Sequence, residues 1–231
     1  FDFIQKVYLH PEHVVKLKNN ERPFPMTIEV DLTNHCNHNC SFCCWKEDIA
    51  VDKSTLDTKT IKKTIYEMKK LGAKAICFTG GGEPMIHKDF YQILSFTNEK
   101  ELDCGLITNG SAITKEHCAE LINNLQWIRI SISGGDAASY NKVQGKEHFE
   151  RVINNISMLA KEKIKKVNSF KIGIRMLLNE INLYSLSKLA ERIKNINGIN
   201  YLQISPNQFA NDEGKFWNGP DVENEINKTK K

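Results

Sequence analysis

Six strand-like segments alternate with helix-like ones along this chain, and that alternation most restricts what it can fold into. Thr27–Leu32, Lys74–Thr79, Cys104–Thr108, Trp127–Ser133, Phe170–Leu178 and Tyr201–Ser205 read as strands. Between them Ser54–Leu71, Asp89–Lys100, Thr114–Leu125, Glu147–Lys163 and Leu183–Ile196 read as helices, as the spacing of Ile61, Ile65, Met68 and Leu71 illustrates. Ser54 is the expected cap of the first helix and Gly72 its stop. Thr114 is the expected cap of the third, with His117 where a capping box carries glutamate or glutamine. Six such repeats imply an α/β fold whose parallel strands are joined by right-handed crossovers. Chemistry in such sheets and barrels sits at the C-terminal ends of the strands.

Residues 1–26 read as an N-terminal extension, with a helical stretch at Pro11–Lys18 and an extended entry at Arg22-Pro23-Phe24-Pro25. Residues 27–206 form the folded unit, and 207–231 are a polar tail or the stub of a further domain. A chain of 231 residues buries about 70–75% of its unfolded surface, enough for a substantial core. The net charge of +4 is too weak to argue for nucleic acid. The lysines near 161–171 and 228–231 read as a solvated helix end and a frayed tail. No apolar run is long enough to span a membrane, and no signal-peptide pattern opens the chain. The first residue is Phe1, so a trimmed chain is expected. Seven cysteines, an odd number with three clustered, argue against a disulfide framework and for a reducing cytoplasm.

The clustered three are Cys36, Cys40 and Cys43, a C-x3-C-x2-C run in the loop after the first strand. Chance gives this spacing roughly 0.006 times in such a composition. Three thiolates so placed can hold three irons of a [4Fe–4S] cube and leave the fourth iron open to a small molecule. A structural site is normally closed by a fourth ligand. The alternatives are a zinc ion completed by His35 or His38, or three inert buried thiols. Cys77 and Cys118 read as core thiols, and Cys44 adjoins the run without extending it.

After the second strand comes Thr79-Gly80-Gly81-Gly82-Glu83-Pro84. Its glycines let backbone N–H groups approach a ligand, and Glu83 adds a carboxylate that could receive an ammonium group. C-x3-C-x2-C after strand one with Gly-Gly-Glu-Pro after strand two resembles the radical S-adenosylmethionine superfamily, over roughly Thr27 to Pro206. The resemblance implies a partial (β/α)6 TIM-like barrel with parallel strands, in accord with the six repeats. It also implies a [4Fe–4S] cluster with S-adenosyl-L-methionine on its open iron. One electron cleaves the sulfonium there, giving a 5′-deoxyadenosyl radical that abstracts hydrogen from substrate.

On that resemblance Cys36, Cys40 and Cys43 ligate the cluster and Phe42 lies against the adenine. Gly81, Gly82 and Glu83 receive the methionine amino group, with Gly80 an additional glycine before the usual pair. Asn109, in Thr108-Asn109-Gly110, lines the substrate or cofactor side; a plain Asn-Gly turn is the alternative. Arg129-Ile130-Ser131-Ile132-Ser133-Gly134 resembles the family's Ser-Leu-Asp-Gly segment, so Ser131 and Ser133 contact ribose or carboxylate. Ser133 stands where relatives often carry aspartate. Gln144-Gly145 stands where many carry an Arg-Gly that pairs with the methionine carboxylate, and glutamine lacks the charged fork. Lys142, Lys146 or Arg175 then compensates. Arg175 sits in an apolar strand, where an inward arginine is a ligand clamp and an outward one is solvated. Ile204 offers backbone to the adenine.

Relatives with this spacing often carry a C-terminal auxiliary-cluster domain (SPASM or twitch) and modify ribosomal peptides or sugars. No cysteines for such a domain occur here. The resemblance points first to a peptide substrate and second to a sugar or antibiotic intermediate, with flavodoxin or ferredoxin as reductant. An RNA-modifying member would show a basic, aromatic stripe, and none is visible. From another class, a non-catalytic zinc or iron–sulfur binding module remains the rival.

Overall fold

The computed structural model describes residues 10–166, 169–207 and 218–230. The expected extension therefore falls in part outside the described residues, as does the tail at 208–217 and Lys231. A first helix, α1 (Pro11–Lys18), leads by an extended segment into β1 (Thr27–Asp31). Helices α2 (Lys46–Val51) and α3 (Thr58–Leu71) follow, then β2 (Ala75–Thr79), α4 (Phe90–Glu99), β3 (Asp103–Thr108) and α5 (Lys115–Asn124). The chain continues through β4 (Trp127–Ser131), α6 (Ala137–Gln144), α7 (Phe149–Ile164), β5 (Lys171–Leu178), α8 (Leu186–Lys194), β6 (Tyr201–Pro206) and α9 (Pro220–Lys228).

All six strands are parallel and lie in chain order, β1-β2-β3-β4-β5-β6. β1 and β6 are the two edges of this sheet, so the expected partial barrel is what forms. The period of two in each strand divides the residues between two faces. Ile76, Phe78, Leu106, Ile128, Ile130, Ile172, Ile174 and Met176 face the helices and are buried. Glu29, Cys77, Ile107, Arg129, Arg175 and Gln203 alternate with them and face inward. Each buried aliphatic or aromatic side chain stabilises by about 1.5–3 kcal/mol relative to exposure. Exposed ion pairs such as Lys63–Glu67 and Lys188–Asp136 are worth about 0–1 kcal/mol each. The sheet–helix layer therefore holds the barrel.

The structure differs from the sequence reading at several boundaries, each for a local reason. Ser54 is not a helix cap. Leu32–Asn34 and Ser54–Leu56 pair back on each other, with Asn34 N donating to Ser54 O at 2.9 Å and Leu56 N to Leu32 O at 3.0 Å. That pairing pinches off residues 36–53 as an excursion, and α3 starts only after it. Its cap is Asp57, whose Oδ1 accepts from Thr60 N at 3.0 Å. Thr114 does not cap with its side chain, because its hydroxyl meets His117 Nδ1 at 2.9 Å. The region around Glu147 holds two helices. The earlier, α6, carries a capping box made by Asp136 and Ser139, a pairing outside the Glu/Gln pattern. Helix α2 has no buried residue and so leaves no apolar period to read. Helix α9 lies in the polar tail and docks through Val222 and Ile226, spaced i and i+4, onto the common core.

Asp57→Ala should lower stability measurably without changing the fold, because it removes the side-chain acceptor of a donor at the start of α3. The midpoint of a urea unfolding curve read by circular dichroism checks this, and an unchanged midpoint would exclude the cap.

Candidate functional site

The loop that carries Cys36, Cys40 and Cys43 has no regular structure of its own, so its backbone must find partners elsewhere. It finds them at the C-terminal end of α6. Val143 O accepts from Ser41 N at 2.8 Å, and Gln144 O accepts from Asn39 N at 3.3 Å. The last carbonyls of a helix are normally orphans, and here the cysteine loop satisfies them. Gly145 follows in a left-handed conformation, φ +65°, and a Cβ there would overlap Asn39 O. Only glycine meets both conditions at that position.

Two buried side chains clamp the loop from opposite sides. On one side Asn109 Nδ2 donates to Asn37 Oδ1 at 2.7 Å, while Asn109 Oδ1 accepts from Ser111 N and Oγ at 3.0 and 2.7 Å. Asn37 Nδ2 closes the ring on Ser111 Oγ at 2.9 Å. The backbone N–H of Asn109 is held by Glu83 Oε2 at 2.8 Å. Glu83 is 3% exposed. Its Oε1 accepts from Thr108 Oγ1 at 2.6 Å and Met85 N at 3.1 Å. Burial raises its pKa above the usual carboxylate value against these three donors. A carboxylate offers about four acceptor directions, so one remains.

On the other side stands Gln144, 1% exposed. Its Oε1 accepts from Ser133 N at 2.7 Å, which fixes the amide orientation. Its Nε2 then donates to Ser131 O at 3.2 Å and to His38 Nδ1 at 3.4 Å. His38 Nε2 in turn faces His148 Nδ1 at 3.3 Å. Burial, with His148 second, lowers the His38 pKa to about 4, so the ring is neutral near pH 7.

Glu83 N reaches back to His35 O at 2.8 Å, and a Cβ on Gly82 would overlap Thr33 O and His35 O. Gly81 N donates to Asp31 Oδ2 at 3.2 Å. The glycine turn is thereby pressed against the base of the cysteine loop. Cys36 and Cys43 are half-buried. Burial raises the Cys36 thiol, and burial followed by the neighbouring thiols pushes Cys40 up to about 12. Such thiols give up their protons when a metal centre shares the charge. Among the described residues no three His, Cys, Asp or Glu side chains converge as a single metal ion requires. His38, a proposed zinc ligand, has both ring nitrogens engaged with Gln144 and His148.

The structure thus brings together Cys36, Cys40, Cys43, Gly81, Gly82, Glu83, Asn109, Ser133 and Gln144, with Phe42 half-buried in the same loop. Two sequence-derived assignments, those of Gln144 and Asn109, change in detail. Gln144 has both amide protons and its oxygen engaged inside the protein, so it positions the loop and the end of β4. Asn109 spends its side chain on the cysteine loop and forms more than a simple turn. Ile204 packs its side chain on the core and leaves only backbone to offer, on the edge strand β6. Ser131, by contrast, has a hydroxyl without a protein partner among the described residues, on the strand face shared with Arg129. Ser133 Oγ is engaged by Leu177 N at 3.2 Å. Arg175 faces inward beside Ser131 in the β4–β5 ladder. Lys142 and Lys146 are exposed. His87, which the sequence left between cavity and surface, is buried between Leu56 O and Asp89 N. Asn37, Thr108 and His148 were missed, and His38 was read only as a zinc ligand, because nothing in their local sequence signals contacts made across the fold.

Residues 30–193 match the Radical SAM superfamily, and the chain belongs to it. It is 29% identical over 179 residues to the AdoMet-dependent heme synthase of Methanosarcina barkeri, covering 77% of this chain and 49% of that protein. It is 28% identical over 205 residues to a probable GTP 3′,8-cyclase of Methanocaldococcus jannaschii, covering 87% of this chain and 65% of that protein. The chain spans about half the length of the first of these relatives. In fold it is similar to Streptococcus suis SuiB, solved with precursor peptide SuiA, with a TM-score of 0.68 and 19% identity. That likeness covers 89% of this chain and 45% of SuiB, which has also been solved with S-adenosylmethionine. The superfamily uses a [4Fe–4S] cluster and S-adenosylmethionine. Among the described residues no helix is long and apolar enough to cross a membrane.

His38 gives a signed prediction. Its folded pKa of about 4 lies below the reference 6.5, so the unfolded chain binds the proton first as pH falls. The protein should hold its full stability from this group above pH 6.5 and lose on the order of 2 kcal/mol as pH falls towards 4. His38→Gln should flatten that part of a stability–pH curve, and an unaltered slope would refute the assignment.

Proposed function

We propose that this chain is the catalytic barrel of a radical S-adenosylmethionine enzyme. The observation that carries this reading is the cysteine loop, held by Asn109 on one side and Gln144 on the other at the C-terminal ends of the parallel strands. Cys36, Cys40 and Cys43 would hold the [4Fe–4S] cluster. The donor set fits: three thiols at C-x3-C-x2-C spacing lie in one loop, and both ring nitrogens of His38 are engaged with Gln144 and His148. When bound, the cluster and S-adenosylmethionine would supply one-electron reductive chemistry at the sulfonium and, through it, hydrogen abstraction from substrate.

The chain's own residues bind and orient. The remaining acceptor direction of Glu83 and the backbone of Gly81 and Gly82 suit the methionine amino group. Ser131 presents a hydroxyl that no described protein group uses, suited to ribose or carboxylate. Phe42 and the backbone of Ile204 suit the adenine. Gln144 and Asn109 keep the loop in register, so a ligand meets a site that is already built. The expected reductant is a flavodoxin or ferredoxin. For substrate, a peptide is supported by the fold shared with a protein solved with its precursor peptide. A small molecule is the second reading, favoured by relatives named for heme and GTP chemistry.

Anaerobic reconstitution with iron and sulfide, reduction, and addition of S-adenosylmethionine should yield 5′-deoxyadenosine. Cys40→Ala should yield none. One zinc per chain in place of iron and sulfide, or equal product from the variant, would refute the reading.

A further inference from the structure

Deeper in the barrel a second site stands apart from the cysteine loop. A cavity of about 590 Å³ is lined by Glu29, Ile107, Trp127, Arg129, Tyr201 and Gln203, among others. No residue of the cysteine loop or the glycine turn lines it. Its walls are aromatic by construction. Trp127 lies across Gly105 and Tyr201 across Gly173, each glycine being the ladder partner of the ring that covers it. Any side chain at either glycine would displace the ring.

Charge is unbalanced at Arg129, which lines the cavity, and at Arg175, which does not line it but lies two residues beyond Gly173, the ladder partner of Arg129. Among the described residues Arg129 makes one side-chain hydrogen bond, Nη1 to Gln203 Oε1 at 3.4 Å, and Arg175, the ladder partner of Gln203, makes none. The Nε atoms of both are buried without a partner among the described residues. No ion pair among the described residues involves either arginine, although Glu29 lines the same cavity. Burial, then the nearby charge of Arg129, lowers the Arg175 pKa, so the two guanidinium groups feel each other. Two like charges drawn partly out of water without a counter-ion are unfavourable, and a buried orphan donor calls for a missing acceptor. The guanidinium fork matches a carboxylate or a phosphate.

Depth separates Arg129 from the cofactor's end of the strands, while Arg175, the ladder partner of Ser131, stands between the two levels. Ser131 ends β4, and Arg129 lies two residues earlier, about 6.6 Å further from the strand ends. We propose that Arg129, with Arg175 beside it, is a clamp for an anionic group of the substrate, a carboxylate or phosphate attached to a planar or apolar body that packs against Trp127 and Tyr201. The inference rests on the radical-enzyme reading for the word substrate, and on the arginines alone for the anion site.

The test is calorimetric titration of the reconstituted protein, at low ionic strength, with inorganic pyrophosphate and with glutarate. Saturable binding of at least one is expected, and the tighter probe identifies phosphate or carboxylate. Arg129→Gln and Arg175→Gln should each weaken it tenfold or more. Arg129→Lys, which keeps charge and loses the fork, should weaken it less, and Arg151→Gln, at an exposed position on α7, should leave it unchanged. Circular dichroism confirms that the variants are folded. Absence of saturable binding to the wild type overturns the proposal, as does equal binding by the two glutamine variants. Loss of S-adenosylmethionine affinity in Arg129→Gln with anion binding intact also overturns it, because the arginine then serves the cofactor. Failure of the wild type to form 5′-deoxyadenosine strikes the radical reading and leaves the anion titration standing.

Discussion

A loop with no regular backbone ladder of its own has to be held from outside, and the cysteine loop is held by the last carbonyls of α6 and by two buried amides. Asn109 reaches it through Asn37, and Gln144 reaches it through His38. Each amide is itself fixed at a strand end, Asn109 by Glu83 after β2 and Gln144 by the backbone of Ser131 and Ser133 after β4. The position of three thiols is thereby tied to the spacing of strands in the sheet. Breaking either tie would leave buried polar groups unpaired, at a cost of about 1–3 kcal/mol each, so the arrangement is cooperative.

The barrel's two strand faces divide the labour. The outer face is a continuous apolar layer under the helices and carries the stability. The inner face is polar, aromatic and partly charged, and it contributes little to that layer. A packed outer layer allows the inner face to hold groups, such as two unpaired arginines, that would be unfavourable in a core. Stability and ligand chemistry are thus kept on opposite sides of the same six strands.

Much of this was legible from residue order. The strand–helix alternation rests on local periodicity, and β2, α4, β3, α5 and β6 begin and end within about a residue of the boundaries read from it. The cysteine run and the glycine turn are contiguous motifs, and the structure places them side by side. Ser54 misled because a serine before an apolar period resembles a cap, whereas its backbone is used in pairing with Asn34. Gln144 was read for what it lacks, a charge. Its role as a clamp depends on His38, more than a hundred positions away in sequence. The tail helix α9 was hidden by a polar composition around two apolar residues.

The sequence by itself determined the alternation, the parallel sheet and the three thiols at the end of the first strand, since each follows from short-range spacing. Tertiary structure decided which polar side chains face a ligand and which are consumed in holding the loop. It decided too that Arg129 and Arg175 share the inner face and make no ion pair among the described residues. The physical reason is that a side chain's hydrogen-bond partners are set by proximity in space. Across a parallel barrel, neighbours at a strand end come from crossovers dozens of residues long. No local pattern carries that information, and only assembly of the curved sheet supplies it.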